Sequence, residues 1–161
     1  MDLYFGGTKI VFEKVMKFWG LYLDKKFKFI HHFKYLAERC ESDLNLMRML
    51  RGTGYGSDKN SLLLYKALIR PKIDYGAQIY SCASPNALKL LDSIQNKALR
   101  IALRALTCTP IQLLEEEAGI LPLKLRREQQ TLNYWARFQS RHGANPVSKI
   151  IIRYLHQGSH T

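Results

Sequence analysis

The run "SPNALKLLDSIQNKALRIALRAL", residues 84–106, leaves the backbone little choice. Ser84 is a helix-capping residue, and Pro85 suits the first helical position, where the missing amide hydrogen is not needed. Leu88, Leu91, Ile94, Ala98 and Ile101 then recur at three- and four-residue steps, so they share one face of a helix. A helix with such a face must bury it against other elements, and this segment commits the chain to a helical core.

The segments around it read the same way. From Phe29, the residues Phe33, Ala37, Cys40, Leu44, Met47 and Leu50 trace the buried face of a long amphipathic helix. Gly52, Gly54 and Gly56 interrupt it, and Ser57 or Asp58 offers a cap for a helix through "LLLYKALIR". Pro71 is expected to break that helix and to open another, "PKIDYGAQIYSCA", in which Asp74 favours the helix dipole, Tyr75 packs beside Ile79 and Gly76 permits close helix contact. Thr109 is expected to cap a helix with Pro110 at its first position and Gly119 as its terminator. A last long helix runs from residue 121 and is closed by Gly143. The start differs: "LYFGGTKIVFEKVMKFWGLYLD" is rich in β-formers, with a turn at Gly6-Gly7 and a reversal near Glu13-Lys14, which predicts short antiparallel strands ending at Asp24. The expected fold is mainly α: short N-terminal antiparallel β-strands, then a bundle of about six helices.

Charge narrows the partner. The 161-residue chain carries 25 Lys and Arg against 13 Asp and Glu, a net +12 spread along its length. Residues 1–60 hold 11 basic and 7 acidic residues, or +4, and residues 61–161 hold 14 and 6, or +8. An anionic partner therefore belongs mainly against the second part. Three widely spaced cysteines without a C-x-x-C pair point to a reducing, intracellular setting rather than to a disulfide framework or zinc module, and do not distinguish nucleus from cytoplasm. No stretch approaches the roughly 20 apolar residues of a membrane span.

Catalytic patterns are absent. No G-x-S-x-G turn or histidine spacing supports nucleophilic catalysis. His31 and His32 diverge by about 100° on a helix and read as an amphipathic start with one half-buried histidine. Glu115, Glu116 and Glu117 fan around their helix for the same reason, and read as dipole partners after Pro110. "GTGYGS" lacks the Gly-Lys-Ser ending of a phosphate loop. No cofactor, metal or catalytic residue is expected. The positive signal is two basic stripes: Lys97, Arg100 and Arg104 on one helix, and Arg126, Gln130, Asn133, Arg137 and Arg141 on the last, with Leu125, Leu132, Trp135 and Phe138 facing elsewhere.

Taken in order, "KFWGLYLDKKFKFIHHFKYLAERC", "LLLYKALIRPKIDYGAQIY" and "LDSIQNKALRIALRALTCTPIQLLEEEAGILPLKLRREQQ" resemble the region following the polymerase palm in reverse transcriptases of non-LTR retrotransposons of the jockey-like type. The resemblance runs from about Leu3 to Arg141. It implies that Phe18, Trp19 and Gly20 are a primer-grip turn, that residues 1–27 are a palm edge, that residues 28–143 are a thumb-like helical domain holding template-primer duplex, and that residues 144–161 are a tail or linker. The chain departs from the family pattern with Trp19 for leucine, Arg104 for glycine and Pro71 for serine. The family's catalytic aspartates are missing, since no two aspartates are adjacent. The resemblance thus implies a fragment that binds an RNA/DNA or DNA duplex without catalysing, with the missing palm and fingers as its other partner and no membrane. The N-terminal strands read as the edge of a larger sheet, so Met1 is expected to be internal to a longer ancestral frame. The alternative is a freestanding helical protein-interaction module or a non-functional relic of a transposable element.

Overall fold

The computed structural model describes residues 3–10, 13–50 and 59–140. The glycine-rich stretch, the cap at Ser57 or Asp58, Arg141, Gly143 and the tail lie outside the described residues.

Strands β1 (Leu3–Phe5) and β2 (Thr8–Ile10) form an antiparallel hairpin across Gly6-Gly7. A second hairpin pairs β3 (Val15–Phe18) with β4 (Leu21–Asp24), and the two ladders are separate. Two residues, Trp19 and Gly20, close the second hairpin, both at positive φ (46° and 82°), as a type I′ turn requires. Asp24 ends the strand and starts the helical part. Its carboxylate accepts from the amides of Phe29 at 2.8 Å and Lys28 at 3.1 Å.

Helix α1 (Ile30–Leu50) buries Phe33, Leu36, Cys40, Leu44 and Met47 along α5, close to the expected face, whereas Leu50, the helix's last residue, is exposed. Next comes one continuous rod: α2 (Lys59–Leu64), a π turn (Tyr65–Ile69) and α3 (Arg70–Asp74). Pro71 therefore does not break the helix. The wider turn ahead of it moves the bonding register, with the Arg70 amide reaching Tyr65 O, and leaves Pro71 in the first turn of α3, where its absent N–H is tolerated. The break comes later, at extended Tyr75 and at Gly76 with φ 73°, so "PKIDYGAQIYSCA" is two pieces, α3 and α4 (Ala77–Tyr80).

Helix α5 (Pro85–Leu103) starts as read, with the Ser84 hydroxyl accepting from the Ala87 amide at 3.4 Å. Its end is unusual. Ala105 N–H donates to Arg100 O and Arg104 N–H to Ile101 O, a Schellman closure whose left-handed position is filled by Arg104 at φ 53°. Helix α6 (Ile111–Ala118) has Pro110, not Thr109, at its N-cap and no side-chain capping bond there. Its acidic run lies in the second half of so short a helix, so Glu115, Glu116 and Glu117 do not complement its N-terminal dipole. Gly119 closes α6 with the same pair of bonds, to Glu116 O and Glu115 O, at φ 60°. Helix α7 (Leu123–Ser140) is last, which makes six helical rods among the described residues once α2, the π turn and α3 count as one.

One core serves both parts. Leu21 of β4 is buried with Phe29, Phe33, Tyr80, Leu91 and Leu99, each apolar side chain of this size contributing about 1.5–3 kcal/mol. A polar chain crosses this core: Tyr65 hydroxyl donates to Gln95 Oε1 at 2.6 Å, and Gln95 Nε2 donates to Glu115 Oε1 at 3.0 Å and Leu121 O at 3.3 Å. Burial raises the Glu115 carboxyl's pKa against the lowering effect of Gln95, with nearby Asp92 adding to the rise, and burial likewise raises the Tyr65 phenol. The Tyr80 hydroxyl similarly donates to Ile73 O.

Candidate nucleic-acid interface

The site is assembled at the break after α3. Tyr75 leaves the helix with extended backbone, and its hydroxyl donates to Trp19 O at 2.7 Å, fastening the β3–β4 turn to the helical body. Gly76 makes the contact possible. A Cβ there would stand 2.8 Å from a Leu21 methyl, and φ 73° disfavours any other residue. Tyr75 thus bonds to the hairpin, and the space above Gly76 is taken by Leu21 rather than by a helix. At the turn itself Phe18 and Trp19 stack with centroids 6.1 Å apart, and Trp19 is 80% exposed.

Asp74 occupies the last residue of α3, the wrong end of that helix for a carboxylate, and is held there by cations. Arg126 of α7 reaches it through Nη2 at 2.8 Å and Nε at 3.3 Å, and Arg70 Nε stands 3.8 Å away. Lys66, Arg70 and Arg126 line an open depression of about 590 Å³ around Asp74 and Tyr75. Three cations against one carboxylate leave a positive surface beside the exposed aromatic turn. Arg126 was legible in the α7 stripe. Lys66 and Arg70 were not, because they approach Arg126 only once α2, the π turn and α3 form one rod.

The remaining sequence-derived candidates lie in other surroundings. Lys97 pairs with Glu41 of α1 at 3.4 Å, on an exposed flank that also holds Arg48. Arg100 Nη2 donates to Thr109 O at 3.4 Å, joining α5 to the loop before α6. Arg104 falls one residue beyond α5, so the stripe ends at Arg100 as a helical feature. The Nε atoms of Arg100 and Arg104 are buried without a hydrogen-bond partner. Arg137 is exposed on the far part of α7, where Trp135 and Phe138 stack at 5.7 Å and Leu125, Leu132 and Tyr134 are exposed as well. No hydrogen bond or ion pair among the described residues links Lys97, Arg100, Arg104 or Arg137 to the Tyr75 cluster. Gln130 and Asn133 are part-buried and exposed.

His32 is 1% exposed, ringed by Tyr22, Phe33 and Tyr80, while His31 is exposed. Burial lowers the His32 pKa below its ordinary value. Among the described residues no three His, Cys, Asp or Glu side chains converge as metal ligands, and no helix is long and apolar enough to cross a membrane.

Comparison with known proteins gives one partial relative. Over 86 residues, 53% of this chain, the sequence is 29% identical to a probable RNA-directed DNA polymerase from transposon X-element of Drosophila melanogaster. The match spans 10% of that protein's length. No protein-family model matches the chain, and no solved structure matches it.

Proposed function

We propose that this chain is the segment following the catalytic palm in a jockey-like retrotransposon reverse transcriptase, and that it holds template-primer duplex without carrying the chemistry. Similarity to a transposon polymerase supports the polymerase class. The observation that carries the binding role is the Tyr75 hydroxyl on Trp19 O, which fixes an exposed aromatic turn beside the Lys66, Arg70 and Arg126 cluster. Stacked Phe18 and Trp19 offer π faces to a base, and the three cations offer contacts to phosphates, neither of which selects a sequence. Lys97, Arg100, Arg104 and Arg137 extend the basic surface in this reading. Polymerisation needs carboxylates that hold paired divalent ions, and the chain has no adjacent aspartates to supply them.

Fluorescence anisotropy with a labelled RNA/DNA hybrid tests the role. Expected is sequence-independent binding that weakens steeply with salt, with Lys66→Ala reducing the log–log salt slope by about 1. Binding indifferent to salt overturns it. A second reading, a helical protein-interaction module, is favoured by the exposed Leu125, Leu132, Tyr134 and Trp135 on α7. It predicts that Leu132→Glu, and not Lys66→Ala, abolishes the chain's associations.

A further inference from the structure

On the other flank of Tyr75 a cavity of about 370 Å³ opens between the hairpin turn, α1 and α3. Its walls include Gly20, His32, Tyr35, Arg39, Lys72 and Tyr75. No carboxylate lines it. Arg39 rests over the Tyr35 ring, 5.9 Å from the centroid, and has no ion-pair partner among the described residues. Lys72 is ion-paired with Asp43 of α1, whose carboxylate does not line the cavity. His32 lines the cavity too, and both its ring nitrogens are buried without a hydrogen-bond partner. An imidazole always has at least one N–H to donate, and a buried donor left unmatched is costly. Every charged group on the wall is cationic, and the unmatched buried donor needs an acceptor.

We infer that this cavity is a binding site for a single phosphate-type oxyanion, held by Arg39 and Lys72 and completed by the His32 N–H. Gly20 lines the cavity beside Tyr75 at φ 82°, a conformation that favours glycine. The site shares Pro71 and Tyr75 with the Asp74 depression but none of its cations, and it does not depend on the nucleic-acid reading. The oxyanion comes from free phosphate or from a phosphate of a bound nucleic acid, and the two sources present the same chemistry.

Isothermal titration of the full chain with inorganic phosphate at constant ionic strength tests it. Expected is one saturable site, weakened about tenfold by Arg39→Ala through loss of a charge-assisted contact and unchanged by replacing the exposed lysine of α5 in Lys89→Ala. Arg39 is exposed and bonded to no other described residue, so folding is not at issue, and His32→Phe, which keeps an aromatic ring, weakens phosphate in the same way. Absence of saturation, or equal affinity in Arg39→Ala and the parent, overturns the inference. Competition then assigns the source: a duplex that displaces phosphate places its own phosphate in the cavity, and a duplex that does not leaves a free-phosphate site. Duplex binding without a phosphate site overturns this inference and spares the proposed function; a phosphate site without duplex binding does the reverse.

Discussion

Replacing Arg104 by glycine is expected to stabilise the protein. Arg104 holds the left-handed position of a complete Schellman closure at φ 53°, the geometry that Gly119 supplies at the end of α6. A residue with a Cβ gives up about 1–2 kcal/mol in that conformation. The unfolded chain gains freedom with glycine, which returns about 0.4–1 kcal/mol to the unfolded side. The long side chain offers little to set against this, because its Nε is buried without a hydrogen-bond partner. The balance favours Arg104→Gly by about 0.5–1 kcal/mol, or roughly 1–4 °C in Tm for a domain of this size. Urea denaturation followed by circular dichroism reads the change as a higher midpoint with an unaltered slope. Gly119→Arg serves as the mirror test and must destabilise by a similar amount. A lower midpoint for Arg104→Gly would refute the reasoning, since it would mean that the arginine side chain contributes more than its backbone strain costs.

Further outcomes follow from the same contacts. Gly76→Ala should cost about 1–3 kcal/mol, because its Cβ meets Leu21 at 2.8 Å on a positive-φ residue; a denaturation midpoint equal to the parent's would contradict the hairpin contact. Gln95→Leu leaves the buried Tyr65 hydroxyl and Glu115 without their shared partner and should cost about 1–3 kcal/mol in the same assay. Burial pushes the Cys40 thiol up to about 11, so native alkylation should label exposed Cys82 and Cys108 and spare Cys40 until the chain unfolds. His32 has its folded pKa below the ordinary 6.5, so between those two values the unfolded chain binds the extra proton and stability falls as pH drops through that window. Glu115, raised by burial, works in the opposite sense at lower pH, and comparing His32→Phe with the parent isolates the histidine slope.

Helix positions were legible wherever punctuation and periodicity agreed. Ser84-Pro85 and the Leu91, Ile94, Ala98 face located α5, and Gly6-Gly7 and Gly119 marked their turns, because each expresses a local backbone preference. Pro71 misled because a π turn is a register change that no single residue announces. Thr109 misled by one position, within the ordinary uncertainty of a helix end. The glycine that the retrotransposon resemblance led one to expect at position 104 has a physical counterpart: Arg104 occupies a left-handed residue, where a side chain comes at a cost. The site was legible in part. The exposed turn Phe18-Trp19-Gly20 and Arg126 were read from the chain, but their connection through Tyr75 and Asp74 spans more than fifty residues and arises only from tertiary packing. Asp74 and Tyr75, read as parts of a bend, do sit at the break after α3, and they also reach α7 and the hairpin.

The central claim is that the Tyr75-centred face holds nucleic-acid backbone. The most direct measurement is the affinity of the full chain for an RNA/DNA hybrid across a salt series, in the parent, Lys66→Ala and Trp19→Asn, the last of which suits the turn while removing the stacking ring. The account predicts a linear fall of log affinity with log salt, a slope smaller by about 1 for Lys66→Ala, and weaker binding with unchanged slope for Trp19→Asn. Parent-like curves for both variants would contradict it.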